Sequence, residues 1–130
     1  MLGGCLCGAV RYRLDARPRM SVNCHCSLCR RHSGAAFLTY VAVDRSAFRI
    51  ERGEVADYRS SPDAVRSHCG ACGSPLTFIL DGDPQSVWVT AGTLDDPDAV
   101  PPAQNWFVRD KVRWTELDAG LENWPEAPEG

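Results

Sequence analysis

The sequence predicts a single, mainly β domain of short antiparallel strands. Its 130 residues are enough for one domain with a sizeable core. Short runs rich in β-branched and aromatic residues alternate with segments of Gly, Pro and Asp, as in strands joined by turns. No stretch keeps a 3.6-residue apolar period over a helical length, so no helix is predicted.

The predicted strands follow one another along the chain with turns between them. The run 35–43 is rich in β-branched and aromatic residues and too apolar for a sheet edge, so we place it centrally. Turn residues cluster, for example, at 60–63 and 81–84. The predicted strands span residues 9–14, 20–22, 35–43, 48–51, 55–59, 76–80, 86–91, 105–108 and 112–114.

The chain divides into a folded part and a tail. We assign residues 1–118 to the domain, because no linker or repeat interrupts them. Residues 119–130 contain Pro125, Pro128 and two glycines, so we expect a flexible C-terminal tail.

Composition excludes several classes of protein. Apolar residues make up 44% and charged residues 24%, near the values of soluble globular proteins. No apolar run approaches the roughly 20 residues that a membrane span needs, and residues 1–5 do not resemble a secretory signal. The formal charge of -3 argues against a general nucleic-acid binder. We expect a cytoplasmic protein that binds neither membrane nor nucleic acid.

Seven cysteines are the most informative residues of the chain. Their number is odd, and their spacings are tight: C-x-C, C-x-C-x-x-C and C-x-x-C. Such groups suit metal chelation better than the closure of long disulfide loops. The cysteines are Cys5, Cys7, Cys24, Cys26, Cys29, Cys69 and Cys72.

Four of the cysteines form a complete zinc ligand set. The segment from Cys69 to Cys72 has the pattern of a zinc knuckle between two strands. A redox dithiol is the alternative, but Pro75 and a strand follow where that motif needs a helix. Cys5 and Cys7 supply two further ligands, which makes a closed structural site. Zinc bound there would stabilise the fold by on the order of 10 kcal/mol.

The remaining three cysteines, Cys24, Cys26 and Cys29, supply one ligand fewer than tetrahedral zinc requires. They predict a second zinc site with an open position, and we assign them a catalytic, zinc-holding role. His32 is the main alternative, because it is three residues beyond Cys29 and could close the site. His25 lies between two ligands and is poorly placed to reach the same ion. We therefore predict two Zn²⁺ ions per chain.

The ordered motifs resemble those of the glutathione-dependent formaldehyde-activating enzyme (CENP-V/GFA) family. The resemblance covers roughly residues 3 to 115. The matching segments are 3–12 (GGCLCGAVRY), 24–30 (CHCSLCR) with 33–37 (SGAAF), 58–61, 66–73, 91–95 (AGTLD) and 107–114.

The resemblance implies a β-tent fold of antiparallel strands, held together by zinc. It implies a structural zinc on Cys5, Cys7, Cys69 and Cys72, and a second zinc on Cys24, Cys26 and Cys29 that is open to a glutathione-type thiol. It also implies a carbon–sulfur lyase that condenses formaldehyde with glutathione to S-hydroxymethylglutathione. The implied partners are therefore a small thiol and a small aldehyde.

Several assignments stay open in the sequence. His25, His32 or an ordered water could pass the proton that the new hydroxyl needs. Trp88, Trp106 and Phe107 could line a pocket or belong to the core. A non-enzymatic zinc-binding interaction module is the alternative function, although Arg30, Arg31 and His32 make only a small basic patch. A redox enzyme like methionine sulfoxide reductase B is disfavoured, because no cysteine follows Cys72.

Overall fold

The computed structural model describes residues 1–128. Its strands are β1 Leu2–Gly4, β2 Arg11–Leu14, β3 Met20–Cys24, β4 Leu38–Asp44, β5 Phe48–Arg52, β6 Val55–Ser61, β7 Ala64–Cys69, β8 Pro75–Leu80, β9 Asp83–Thr90, β10 Gln104–Trp106 and β11 Glu122–Asn123. One α-helix, α1, spans Ser27–Ser33. Short 3₁₀ turns lie at Arg45–Ala47, Ala91–Thr93, Pro97–Ala99 and Val108–Asp110. No helix of the described part has the length and apolar composition to cross a bilayer.

The strands form two sheets, which confirms a mainly β domain. The smaller sheet has the order β1-β2-β5, and the larger has the order β11-β10-β3-β4-β9-β8-β7-β6. As predicted, β4 is a central strand, with β3 on one side and β9 on the other. Its residues Tyr40, Val41, Ala42 and Val43 are all buried, which explains why this run is so apolar.

The prediction of purely antiparallel strands is wrong at one edge of the larger sheet. There β10 pairs in parallel with both β3 and β11. Parallel neighbours need a long crossover connection. Residues 107–121 provide one between β10 and β11, and their turns gave no sequence signal for a crossover.

Two local predictions are also wrong. Helix α1 was not predicted, since its seven residues are too few to show a helical apolar period. Residues 112–114 were predicted as a strand but form a turn, in which the Thr115 N–H donates to the Val112 carbonyl at 3.4 Å. The side chain of Trp114 is 77% exposed and packs in no core.

The main core lies where the two sheets face each other. Alternation in β2 turns Tyr12 and Leu14 inward, and they pack with Val41 and Val43 of β4 and with Val89 of β9. Full burial of an aliphatic side chain of this kind contributes about 1.5–3 kcal/mol. A second, smaller group of buried residues surrounds the cysteines of the segment 24–29. The cysteine segment 24–29 therefore packs in a second hydrophobic cluster, separate from the main core.

The segment after residue 118 contacts the domain. Glu122–Asn123 forms β11, and the Trp124 N–H donates to the Asn105 carbonyl at 2.8 Å. Arg109 forms an ion pair with Glu126. The division at residue 118 and the flexibility of 119–130 stay predictions, and residues 129–130 of that tail lie outside the described residues.

Candidate metal centres

The four-cysteine cluster, Cys5, Cys7, Cys69 and Cys72, forms where the loop after β1 meets the turn between β7 and β8. Their sulfur atoms all lie within 4.8 Å of one another. The Sγ–Sγ distance is 3.5 Å from Cys5 to Cys7 and 3.8 Å from Cys7 to Cys69. Thiolates placed tetrahedrally at about 2.3 Å from zinc are about 3.8 Å apart. The donor set and its spacing therefore fit a four-coordinate metal ion.

Hydrogen bonds from nearby residues reach three of these four sulfurs. The Val10 N–H donates to Cys5 Sγ at 3.2 Å, and the Cys72 N–H donates to Cys69 Sγ at 3.4 Å. The Ser74 hydroxyl, 3.2 Å from Cys72 Sγ, is the main cause that lowers the pKa of Cys72 to about 5. Hydrogen bonds of this kind favour the deprotonated thiol, which is the metal-binding form.

The three-cysteine cluster, Cys24, Cys26 and Cys29, is built by the end of a strand and the start of a helix. Cys24 ends β3, Cys26 is the N-cap of α1, and Cys29 lies one turn into the helix. The Cys29 N–H donates to Cys26 Sγ at 3.3 Å. The thiol of Cys26 therefore accepts the N-cap hydrogen bond that a Ser or Asp side chain usually accepts. Gly34 ends the helix at φ +74°, and its N–H donates to the Arg30 carbonyl at 2.8 Å.

The three sulfurs are close enough to share one metal ion. They too lie within 4.8 Å of one another. Hydrogen bonds from Cys24 and Cys29 lower the pKa of Cys26, and the same interactions with Cys26 and Cys29 raise the pKa of Cys24. Thiols this close together cannot all ionise easily, because their negative charges repel one another. A bound divalent cation would stabilise all three thiolates.

Neither of the two histidines that sequence analysis considered for the open site joins a cysteine cluster. Within residues 1–128, neither His25 nor His32 belongs to a group of ligand atoms close enough to hold one ion. His25 is 1% exposed, with its ring centroid 4.7 Å from that of Phe37 and Nε2 3.3 Å from Asn105 Oδ1. The prediction that His25 is poorly placed for the ion agrees with this geometry. The alternative in which His32 closes the site gains no support from it.

A cavity of about 320 Å³ adjoins the three-cysteine cluster. Its size is near the lower end of the roughly 300–1,000 Å³ typical of ligand pockets. Trp88, Trp106 and Phe107 all line it, so these aromatic residues form a pocket wall. The full lining is Val22, Cys24, Cys26, Leu28, Cys29, Tyr40, Ser61, Asp63, Ala64, Arg66, Phe78, Leu80, Trp88, Trp106, Phe107 and Ala127.

Arg66 and Tyr40 are the buried polar residues of this cavity. Arg66, on β7, is 2% exposed, and Tyr40, on β4, is 3% exposed. Arg66 donates from Nη1 to the Tyr40 hydroxyl at 2.7 Å and from Nη2 to Cys29 Sγ at 3.6 Å. Its Cζ lies 4.6 Å from the centroid of the Phe78 ring, a cation–π contact. A positive charge is thus fixed beside the thiols.

The bond between Arg66 and Tyr40 has only one possible direction. A guanidinium has no acceptor, so the Tyr40 oxygen must accept. Its own hydrogen therefore stays available, and no acceptor for it lies within bonding distance among the described residues. Burial raises the pKa of Tyr40, so the phenol keeps its proton. The cavity thus contains a protonated hydroxyl that can donate to a ligand.

Sequence reasoning found every cysteine of the site but missed these two residues. Tyr40 looked like an ordinary residue of a central strand. Arg66 entered the sequence analysis only as the first residue of the motif segment 66–73, whereas the structure places it against Cys29, 37 positions away. An arginine three residues before Cys69, in the segment that leads into the zinc knuckle, was the one available signal.

Fold and clusters together define a class of protein: a small, mainly β domain with two cysteine sets arranged for metal ions, one of them beside a cavity. The sequence profile described as "Glutathione-dependent formaldehyde-activating enzyme" matches residues 1–110. The chain belongs to that family.

Two individual proteins are similar to the chain in sequence, and one solved structure is similar in fold. A protein of Halomonas elongata, provisionally named a glutathione-dependent formaldehyde-activating enzyme, is 26% identical over 90% of this chain and 80% of its own length. An uncharacterised lyase of Schizosaccharomyces pombe is 29% identical over 68% of this chain and 64% of its own length. A crystal structure of a Rhodobacter sphaeroides protein superposes with a TM-score of 0.65 at 26% identity, over 95% of this chain and 99% of that one.

Proposed function

We propose that the chain is a zinc-dependent enzyme of the carbon–sulfur lyase type, which adds a small, glutathione-like thiol to formaldehyde or a related small carbonyl compound. The observation that carries this proposal is the three-cysteine cluster beside a cavity, with one ligand fewer than a closed zinc site. Membership of the family and the names of two relatives support it. We also propose a cytoplasmic location, where thiols stay reduced.

The two clusters would have different roles. The four-cysteine cluster would hold a structural zinc, because its ligand set is complete and joins the loop after β1 to the β7–β8 turn. Cys24, Cys26 and Cys29 would hold the second zinc, and that ion would supply a position at which a small thiol binds as the nucleophilic thiolate. Arg66 would offset part of the negative charge of three thiolates.

The cavity residues would then serve the carbonyl compound. The thiolate sulfur attacks the carbonyl carbon, a carbon–sulfur bond forms, and the π pair of the carbonyl moves onto its oxygen. That oxygen takes one proton, and the proton of the incoming thiol leaves to solvent, so the step needs no oxidant or reductant.

Tyr40 is the group we assign to the developing oxygen charge. Its free O–H lies in the cavity, and Arg66 donates to its oxygen at 2.7 Å, which polarises the O–H as a hydrogen-bond donor to that charge. His25 and His32 do not line the cavity, so we assign neither of them this role.

Exchange spectroscopy by nuclear magnetic resonance tests the proposal. The rate at which formaldehyde hydrate and S-hydroxymethylglutathione interconvert is measured with and without the zinc-loaded chain. We expect the chain to raise that rate in proportion to its concentration. A rate equal to that of buffer, for glutathione and for other small thiols alike, would favour the non-enzymatic zinc module instead.

A further inference from the structure

The walls of the cavity beside the three-cysteine cluster are aromatic. Phe78, Trp88, Trp106 and Phe107 line it, and the rings of Trp88 and Trp106 meet edge-on with centroids 5.4 Å apart. Phe107 has φ +57°, a left-handed conformation that costs a non-glycine residue about 1 kcal/mol or more. Backbone strain at a residue whose side chain lines a cavity indicates that the position of this ring is important there.

This cavity has a single cation in its lining among the residues that the structure describes, and that cation is Arg66. Three of its five N–H groups donate to Tyr40, to Ser60 Oγ at 3.1 Å and to Cys29, and its face covers Phe78. Most of its polar contacts are therefore with protein groups, among them the thiol of Cys29.

An acidic residue lies in the same lining. Asp63 is exposed and accepts from Ser61 Oγ at 3.1 Å, and no cation of the described residues is within ion-pair distance of it. Arg59, whose charge reaches Asp63, is paired with Asp81 at 2.8 Å. Since a buried carboxylate without a partner is costly and Asp63 repels it, an anionic ligand is disfavoured here.

We propose that this cavity takes a thiol with an uncharged, apolar body, such as an arylalkyl thiol, in preference to an anionic thiol. The inference rests on the proposed function, because it assumes that the thiol sulfur is held at the three-cysteine cluster. The aromatic walls would bury the apolar body, and burial contributes about 25 cal/mol per Å² of apolar surface. The chemical step is unchanged: the same carbon–sulfur bond forms and the same proton is taken up by the oxygen.

Binding of three thiols to the zinc-loaded full chain tests the inference by calorimetry. The probes are benzyl mercaptan, 4-(mercaptomethyl)benzoate and glutathione. The first two have similar thiol acidity and differ by one carboxylate, so they isolate the effect of charge. We expect benzyl mercaptan to bind at least tenfold more tightly than its carboxylate analogue and than glutathione.

A charge variant locates the effect. Asp63→Asn should raise the affinity for the carboxylate analogue, relative to that for benzyl mercaptan, about twofold to fivefold, the size of a surface charge interaction. Asp98→Asn makes the same charge change at an exposed residue outside the cavity lining and should alter neither affinity.

The outcomes separate this inference from the proposed function. If glutathione or the carboxylate analogue binds as tightly as benzyl mercaptan, the apolar preference is wrong while the thiol chemistry stands. If none of the three binds at millimolar concentration with both zinc ions present, the proposed function fails, and this inference fails with it.

Discussion

Tyr40 and Arg66 show how much of the chemistry depends on single buried side chains. Each is at most 3% exposed, and the hydrogen bond between them fixes both the charge beside Cys29 and the free O–H of the phenol. Neither role can be predicted from the local sequence, because the two residues are 26 positions apart in the chain. Only the packing of β4 and β7 in one sheet brings them together.

Tyr40→Phe should slow the reaction without weakening thiol binding. The variant keeps the ring and removes only the hydroxyl, so the loss falls on stabilisation of the developing oxygen charge, where one such donor typically contributes about 10²–10³-fold. Exchange spectroscopy gives the rate and calorimetry gives the thiol Kd. Tyr58→Phe, at a tyrosine that is 63% exposed, is the matched control and should change neither. Equal rates for wild type and Tyr40→Phe would remove Tyr40 from the mechanism.

Arg66→Gln should weaken the hold of the three-cysteine cluster on zinc. Loss of a charge 3.6 Å from Cys29 Sγ removes a partner of the ligand set, and such changes typically cost about 10–100-fold in metal affinity. Competition with a graded series of chelators measures the affinity. Arg59→Gln, at an exposed arginine on β6, is the control. If both variants retain zinc like the wild type, Arg66 is only a packing residue.

Helix α1, the first strand and the last strand were not predicted, and for different reasons: β1 has only three residues, two of them glycine. A seven-residue helix capped by Cys26 lacks both an apolar period and a standard cap residue. Its one signal was Gly34 after three basic residues, a common helix ending. Strand β11 contains two residues, and a crossover places it beside β10. By contrast, the long apolar run of β4 was recognised at once.

Ending the chain at Asp118 should affect the cavity as well as stability. The change removes the Trp124 N–H bond to Asn105, the β11 pairing and Ala127, which lines the cavity. With each lost hydrogen bond worth about 1 kcal/mol, we expect a Tm lower by several degrees and a thiol affinity lower by about tenfold. Thermal unfolding and calorimetry measure the two effects.

A chain that ends at Pro128 keeps all of these contacts and is the control for that truncation. If the Asp118 variant binds thiol as tightly as this control, the segment 119–128 is a dispensable tail.

At the scale of the whole molecule, the two clusters are expected to hold the chain together to different degrees. The four-cysteine cluster joins residues 62 or more positions apart in sequence, from the loop after β1 to the β7–β8 turn. The three-cysteine cluster is local and spans one strand end and one helix start. The cysteine spacings predicted this grouping, but they carried no information about the cavity, which depends on how the strands are ordered.

Cys72→Ala should therefore unfold the domain more than Cys26→Ala. A structural zinc contributes on the order of 10 kcal/mol, which equals or exceeds the net stability of many domains of about 5–15 kcal/mol. Circular dichroism on heating compares the variants, and metal analysis counts the zinc ions that each retains. We expect Cys26→Ala to keep one zinc and a cooperative transition. Equal destabilisation of the two variants would contradict the division into a structural and an open site.

The protons released when a thiol binds test the central claim most directly. A thiol that becomes a metal ligand binds deprotonated, so each binding event should release about one proton. Calorimetry of the zinc-loaded chain in two buffers of different ionisation enthalpy counts that proton. We predict one thiol and about one proton per chain, and neither for Cys26→Ala protein that has lost its second zinc. Failure of the intact chain, with both zinc ions present, to bind any small thiol at millimolar concentration would contradict the account.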